Sequence, residues 1–300
     1  MSKSLYAIAF PQDGNIGYAA GESGIILKST DSGATFSLLD APTQNDLYGI
    51  DFPCDAQVGF IVGAKGTILK TTNGGKEWKL IKINTELDLR GLCFPQTDLI
   101  GFAVGDDGLI IETDDSGETW TILHQGSGRK LYSVHFPFDT LTGFAVGEKS
   151  AIYKTVNGGE HWFLLTEHLQ GEYRFDLYCV SFPFDDLTGY VVGDRAVIYK
   201  TTDGGETWKL LTEAFKPYPL YGVRFPANEY NGILVGGNGK IFRTNDGLQN
   251  ILLCESGVED DLYSVYCDTQ CERAWVSGAN GTILRTIDGG FTWTKAKVNI

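Results

Sequence analysis

The chain has 300 residues, 42% hydrophobic and 12% aromatic, with 38 acidic and 24 basic residues that give a net charge of −14. This charge argues against nucleic acid or an anionic membrane as the main partner, because either binds through a cationic surface. No apolar run approaches the roughly 20 residues needed to span a bilayer, and the N-terminal residues MSKSLYAIAF contain no apolar signal core. We therefore expect a cytoplasmic protein without membrane insertion.

A repeat runs through the whole chain. A leucine opens the pattern LYxVxFP at intervals of 42 to 46 residues, at Leu5, Leu47, Leu89, Leu131, Leu177, Leu220 and Leu262. A second marker keeps the same intervals at Phe36, Trp78, Trp120, Trp162, Trp208, Ile251 and Trp293. Seven units therefore fill residues 1–300 as one domain, with no room for a second.

Each unit contains four predicted strands, as residues 47–81 illustrate. The first is LYGIDF, the second GFIVG, the third TILKTT, and the fourth begins at Trp78, with β-branched and aromatic residues throughout. A four-stranded unit of this length is typical of a propeller blade, and strands that are apolar on both faces fit sheets covered on both sides.

The sequence therefore predicts an all-β fold, a seven-bladed β-propeller with four antiparallel strands per blade. The blades are expected at about residues 5–46, 47–88, 89–130, 131–176, 177–219, 220–261 and 262–300. Because the chain begins at an innermost strand and ends after an outermost one, we expect each blade to be contiguous. Packing between the first and seventh blades would then close the ring without a borrowed strand.

An acidic turn precedes the fourth strand of every unit. It has the sequence STDSGATF from Ser29, TTNGGKEW from Thr71, TDDSGETW from Thr113, TVNGGEHW from Thr155, TTDGGETW from Thr201 and TIDGGFTW from Thr286. These copies resemble the Asp-box, or bacterial neuraminidase repeat. The Asp or Asn side chain accepts hydrogen bonds from its own turn, the glycine permits a positive φ, and the Trp packs between blades.

Six equivalent copies around a ring indicate a structural role for the Asp-box turns, which are predicted between the third and fourth strands. A seventh copy, TNDGLQNI from Thr244, has Leu248 and Ile251 in place of the Gly and the Trp. We expect the sixth blade, which carries it, to have the loosest outer edge.

One face of the propeller is predicted to bind a partner, because loops are where propellers vary. Two long loops, residues 166–176 and 212–220, bring aromatic side chains to the fourth to sixth blades, namely Tyr173, Phe175, Phe215 and Tyr218. Basic residues fall in the same sector, namely Arg90, Arg129, Lys130, Lys149, Arg174 and Arg195. Together they suit an acidic or peptide-like protein partner. Alternatively, the aromatic residues cover their own loops and the charges are merely solvated.

The axial channel is a further candidate site. The third position of the first strand is always small, which suits the crowded axis, and the fifth position is chemically diverse. The fifth position supplies Asp51, His135, Arg224 and Tyr266, which would hold a small polar ligand or simply line a narrow, hydrated channel.

No metal or cofactor site is predicted. The six cysteines are expected to be reduced thiols in the cytoplasm. Cys267 and Cys271 straddle one turn and would bridge under oxidation, but no His or further Cys lies near enough in sequence to complete a metal site.

The patterns LYxVxFP, GFAVG, GTILKTT and DGGxTW together resemble the repeat of the photosystem II stability/assembly factor family. All seven units match. The resemblance implies a seven-bladed propeller that acts without catalysis as a protein-binding scaffold, an assembly or accessory factor. Many members carry Arg after the opening Leu. Here that position holds Arg90 and otherwise tyrosine, at Tyr6, Tyr48, Tyr132, Tyr178, Tyr221 and Tyr263.

Two other functions remain open, because Asp-box propellers include sialidases and other glycosidases, and lectin-like propellers bind carbohydrate. A glycosidase requires paired carboxylates, or a Tyr–Glu pair with converging arginines. No unit carries a unique long insertion that would aim Asp and Glu at the axis. We therefore expect a non-enzyme whose partner is another protein or complex, either as a monomer or as a subunit of a larger assembly.

Overall fold

The repeats form seven antiparallel sheets arranged around one axis. The structure, a computed structural model, describes residues 3–11, 14–165, 169–170, 174–183, 185–211 and 216–299. The first strand of each blade contacts the first strand of the next, and the seventh blade contacts the first, so the ring is closed. The predicted all-β, seven-bladed propeller with four antiparallel strands per blade is confirmed.

The strands follow the repeat in chain order. The first three blades consist of β1 (Leu5–Ala9), β2 (Gly17–Gly21), β3 (Ile26–Ser29) and β4 (Thr35–Leu39), then β5 (Leu47–Asp51), β6 (Gly59–Gly63), β7 (Thr67–Thr71) and β8 (Lys79–Ile81), then β9 (Leu89–Cys93), β10 (Gly101–Gly105), β11 (Ile110–Thr113) and β12 (Thr121–His124). The next two consist of β13 (Leu131–His135), β14 (Gly143–Gly147), β15 (Ala151–Thr155) and β16 (Phe163–Leu164), then β17 (Leu177–Ser181), β18 (Gly189–Gly193), β19 (Ile198–Thr201) and β20 (Lys209–Leu210). The last two consist of β21 (Leu220–Arg224), β22 (Asn231–Gly236), β23 (Ile241–Asn245) and β24 (Leu252–Cys254), then β25 (Leu262–Cys267), β26 (Ala274–Gly278), β27 (Ile283–Thr286) and β28 (Thr294–Lys295).

A C-terminal strand joins the last blade to the first. The strand β29 (Lys297–Asn299) leaves the seventh blade and pairs in parallel with β4, with Val298 opposite Phe36. Val298 also packs on the apolar cluster between the two blades. The expectation that no strand passes between the ends of the chain is therefore wrong. The exposed edge of β4 offers unpaired backbone groups, and the last residues of the chain satisfy them.

Aromatic side chains stack face to face across the seams between blades. At six seams the ring centroids lie 3.9 to 4.1 Å apart, in the pairs Phe10–Trp275, Tyr18–Phe52, Phe60–Phe94, Phe102–Phe136, Phe144–Phe182 and Tyr190–Phe225. The Asp-box Trp completes the seam, as Trp78 does by meeting Phe52 edge-on at 6.1 Å. The predicted packing of the Trp between blades is thus observed, and these pairs add to the apolar burial that holds the sheets together.

The Asp-box turn is closed by side-chain hydrogen bonds, as the fifth blade illustrates. The buried Thr201 Oγ1 accepts a hydrogen bond from the Gly205 amide at 2.8 Å and donates one to Asp203 Oδ1 at 2.7 Å. Asp203 in turn accepts hydrogen bonds from the amide and the hydroxyl of Thr207, at 2.9 and 2.6 Å. Gly205 has φ +85°, the left-handed conformation that favours glycine.

The sixth blade keeps this turn in spite of its divergent sequence. Leu248 takes the glycine position with φ +69°, its amide donates to Thr244 Oγ1 at 3.0 Å, and its side chain is buried. Three residues of β24 pair with β23, against two in the outer strands β16, β20 and β28. The expectation that the sixth blade has the loosest outer edge is therefore wrong with respect to strand pairing. The turn is retained although a leucine at positive φ carries a conformational cost.

Turns between the second and third strands lie on the upper face, opposite the Asp-boxes. Six are short 3₁₀ turns, at Glu22–Gly24, Ala64–Gly66, Asp106–Gly108, Glu148–Ser150, Asp194–Ala196 and Ala279–Gly281. A carboxylate just before the next blade often holds them. For example, Asp46 accepts a hydrogen bond from the Ser23 amide at 2.8 Å, and Asp176 accepts one from the Lys149 amide at 3.0 Å. The upper face thus links neighbouring blades and carries acidic residues close to the axis.

Candidate functional site

Every inner strand bulges at its second residue. In the first blade, Leu5 pairs with Gly21 and Ala7 with Ala20, so Tyr6 is an extra residue between them. The same shift occurs in the other six blades. A bulge bends the strand and redirects a side chain, and the seven redirected residues meet at the upper end of the channel.

We call these seven residues the axial ring: Tyr6, Tyr48, Arg90, Tyr132, Tyr178, Tyr221 and Tyr263. Neighbouring tyrosine rings have centroids 5.3 to 5.6 Å apart and are tilted or edge-on to one another, within the range of favourable aromatic contact. The tyrosines line a cavity of about 220 Å³.

Arg90 occupies the one place in the axial ring without a tyrosine. Its guanidinium lies 5.2 Å from the ring centre of Tyr48 and 5.9 Å from that of Tyr132. It also pairs with Asp88 Oδ2 at 3.2 Å and with both oxygens of Asp106. The aromatic faces and carboxylates of this site therefore already hold one guanidinium, through cation–π and charge-assisted contacts.

Carboxylates surround the axial ring. Burial first, and then nearby carboxylates, raise the pKa of Tyr48 and of Tyr221 to about 12 and raise the pKa of Tyr178 as well. The acidic residues that act on the six tyrosines are Glu22, Asp46, Asp88, Glu148, Asp176, Asp194, Asp260 and Asp261. The tyrosines are therefore neutral at physiological pH, within a negatively charged rim.

The four predicted channel residues lie together below the axial ring. Asp51, His135, Arg224 and Tyr266 line one cavity of about 440 Å³. The guanidinium of Arg224 lies 5.4 Å from the ring centre of Tyr266, and its Nε is buried without a hydrogen-bond partner among the described residues.

Two channel residues have shifted pKa values. Burial raises the pKa of Asp51 to about 6, although its carboxylate accepts a hydrogen bond from the Phe94 amide at 2.8 Å and feels the charge of Arg224. Burial, and then Arg224, lower the pKa of His135 to about 4, and its Nε2–H donates to the Phe182 carbonyl oxygen at 3.0 Å. His135 is therefore neutral at pH 7 while Asp51 is ionised.

Two of the four aromatic residues predicted for the partner site, Phe175 and Tyr218, pack against seams between blades. Phe175 is buried at the seam between the fourth and fifth blades, and its amide donates to Ser150 Oγ at 2.9 Å. Tyr218 packs at the next seam against Phe242, with ring centroids 6.3 Å apart. These two side chains cover their own seams, as the alternative interpretation held. Tyr173 and Phe215 lie outside the described residues.

The predicted basic residues divide into two groups. Arg90 belongs to the axial ring and is ion-paired, and Arg129 and Lys130 are half-buried. Lys149, Arg174 and Arg195 are exposed on the upper face. The upper face therefore has carboxylates around the axial ring and separate exposed cations, instead of one continuous cationic patch.

The cysteines and possible metal ligands form no further site in the described part of the chain. All six cysteines are thiols, and the buried Cys267 and Cys271 have Sγ atoms 3.4 Å apart. Among the described residues, no group of three or more His, Cys, Asp or Glu side chains is arranged to hold a metal ion. The described residues also include no helix with the length and apolar character of a membrane span.

Known proteins match the chain in sequence and in fold. The family model of the photosynthesis system II assembly factor YCF48 matches residues 31–128 and 123–217. No curated protein matches the chain in sequence. A structure of YCF48 bound to D1 peptide superposes with a TM-score of 0.75 at 20% identity, over 95% of this chain and 94% of that chain. YCF48 from Cyanidioschyzon merolae superposes with a TM-score of 0.74 at 18% identity, over 95% and 96%.

Enzymes share the fold as well. The GH74 xyloglucanase from Xanthomonas campestris superposes with a TM-score of 0.77 at 12% identity, over 97% of this chain but 52% of the enzyme. About half of the enzyme therefore has no counterpart here, and the likeness concerns the propeller fold alone.

Proposed function

The chain belongs to the family of photosynthesis system II assembly factors named for YCF48, whose model matches more than half of it, and we propose that it is a non-enzymatic assembly or accessory factor that binds a protein partner on its upper face. The family match is the observation that carries this proposal. A YCF48 structure bound to D1 peptide supports a polypeptide as the class of partner.

The geometry of the upper face supports this location. Loops and turns from all seven blades converge there around the axial ring, and loops on a rigid scaffold are the usual place for binding residues. The side chains of Lys149, Arg174 and Arg195 in these loops and turns are exposed, and they favour acidic groups on a partner.

Catalysis as a glycosidase has less support. Retaining and inverting glycosidases use two carboxylates on either side of the scissile bond. Among the described residues that line the lower channel cavity of about 440 Å³, Asp51 is the one carboxylate, and it is engaged by the Phe94 amide. We therefore expect the purified protein to hydrolyse neither xyloglucan nor a fluorogenic sialoside, and turnover of either would favour the enzyme.

The proposal is tested by co-purification from a native extract of the source cells, with partners identified by mass spectrometry. A variant with Lys149→Glu, Arg174→Glu and Arg195→Glu should recover at least about tenfold less partner, because it replaces attraction at the loops by repulsion. Arg90 is left unchanged in this variant because its ion pairs belong to the fold.

The control variant carries Lys76→Glu and Lys209→Glu, at exposed lysines in an Asp-box turn and on an outer strand. It should recover as much partner as the native protein. Equal recovery by both variants would place the binding surface elsewhere. A cytoplasmic location and a monomeric state outside the complex also remain predictions, which cell fractionation and light scattering would check.

A further inference from the structure

The axial ring has the composition of a cation-binding site. Six tyrosine rings line a cavity of about 220 Å³, and a cation over the face of such a ring is attracted by the ring quadrupole. The carboxylates of the rim add an attraction that a neutral or anionic group does not experience.

Arg90 illustrates how this environment holds a basic side chain. Its guanidinium lies over Tyr48 and Tyr132 and is paired with Asp88 and Asp106. Two blades farther along the axial ring, tyrosine rings and carboxylates occur together again. There Tyr178 lies between Tyr132 and Tyr221, with centroids 5.4 and 5.3 Å away, and the charges of Asp176 and Asp194 act on it.

Resting on the proposed function, we propose that the axial ring binds one lysine or arginine side chain from a segment of the protein partner. Seven bulges direct the ring residues to one point, which is the kind of local irregularity that positions side chains at sites. The cavity lies below the 300–1,000 Å³ typical of pockets for drug-sized ligands, and this volume suits one extended side chain.

The partner chemistry follows from the layout of the whole upper face. Carboxylates and tyrosine rings surround the axis, and the same face exposes the cations Lys149, Arg174 and Arg195. A complementary segment therefore carries a central basic residue with acidic residues beside it. The net charge of −14 further favours the approach of a basic group.

The test uses the whole protein and two short blocked peptides, Ac-Gly-Ser-Arg-Ser-Gly-NH₂ and the same peptide with citrulline, which has a similar shape but no charge. NMR titration measures each dissociation constant. The arginine peptide should bind at least about tenfold more tightly than the citrulline peptide, and added salt should reduce this difference because charge attraction is screened.

Variants then locate the site. Tyr178→Leu removes one π face and should weaken binding of the arginine peptide about tenfold, whereas Tyr178→Phe keeps the face and should bind as the native protein does. The control is Tyr230→Leu, at an exposed tyrosine (53% accessible) between the first and second strands of the sixth blade. If Tyr178→Leu fails to fold, the citrulline comparison on the native protein still decides the question.

Equal affinity for the arginine and citrulline peptides, or unchanged affinity in a folded Tyr178→Leu variant, would overturn the inference. Recovery of the same partner by native protein and by Tyr178→Leu would also overturn it, while leaving the proposed function intact. Failure to recover any protein partner, in contrast, would refute the proposed function itself, whatever the peptides do.

Discussion

Asp51 and His135 share one cavity, and their titrations oppose each other. The pKa of Asp51 is raised to about 6, so its contribution to stability is largest at low pH and is lost as pH rises through 6. The pKa of His135 is lowered to about 4, so its contribution is largest above its ordinary pKa of 6.5 and is lost as pH falls through 4. Between pH 4 and 6 the two slopes nearly cancel in the native protein.

Asp51→Asn should remove the contribution of Asp51, so that only the pH dependence of stability due to His135 remains. Its free energy of unfolding, relative to the native protein, should rise between pH 4 and 6, by at most about 3 kcal/mol. This value is an upper bound because Asp51 is half-buried and solvent screens its charge. Urea unfolding at pH 4.5, 5.5 and 6.5 measures it.

His135→Gln keeps a donor for the Phe182 carbonyl and should give the opposite trend. Relative to the native protein, its free energy of unfolding should fall as pH rises from 4 to 6.5, again by at most about 3 kcal/mol. The same urea series applies. Curves parallel to that of the native protein for both variants would mean that neither group has the pKa assigned to it.

At the level of elements, the Asp-box turn stabilises a blade through one buried hydroxyl. Thr201 Oγ1 accepts hydrogen bonds from the amides of Gly205 and Asp203 and donates one to Asp203 Oδ1. The sixth blade keeps the equivalent threonine, Thr244, while it lacks the glycine and the Trp. The hydroxyl and the aspartate, here Asp246, are therefore the parts of the motif that the turn retains when the glycine and the Trp change.

Thr201→Val should consequently lower the free energy of unfolding by about 1–3 kcal/mol, because it preserves shape but leaves the buried Gly205 amide without an acceptor. Guanidinium unfolding measures the change. Thr202→Val is the matched control, since Thr202 is the adjacent and exposed threonine, and it should be neutral. Equal effects of the two substitutions would mean that the hydroxyl bond contributes nothing.

For the whole molecule, the last strand adds to the inner-strand contacts and the Phe10–Trp275 stack that close the ring. Residues Lys297–Asn299 pair with the outer edge of the first blade, and Ala296 and Val298 pack between the first and seventh blades. At the other seams the chain runs on from one blade into the next. Between the seventh and first blades it does not, and the pairing of β29 with β4 takes the place of that connection.

Val298→Asp should therefore destabilise the propeller by about 2–3 kcal/mol, because it places a charge against an apolar cluster. Asn299→Asp introduces the same side chain one residue later, at an exposed position of the same strand, and should have little effect. Thermal unfolding of the two variants compares them directly. Similar melting temperatures would show that closure does not rest on this strand.

The repeat made the blades predictable, because the same apolar strand segments and the same flanking turns recur seven times. The bulge at Tyr6 and its equivalents was not predictable from this pattern, because an irregularity that recurs in every unit looks like part of the repeat. The strand at Lys297–Asn299 has a partial counterpart among the described residues, a parallel bridge between Leu169 and Trp208, and neither pairing follows from the repeat pattern. Phe175 was misplaced because loop length indicates exposure, whereas Ser150 and the neighbouring seam determine its burial.

Arg90 has a consequence for how a partner is oriented. Seven nearly equal blades would offer a partner seven equivalent rotational settings about the axis, and choosing one of seven corresponds to about 1.2 kcal/mol. Arg90 makes one of these seven settings chemically different from the other six. A single contact of the partner with its guanidinium, or with the position in the axial ring where a tyrosine is missing, contributes a free energy of about that magnitude. Arg90, in place of a tyrosine in one of the seven units, thus gives an otherwise sevenfold-repeated opening a defined orientation for its partner.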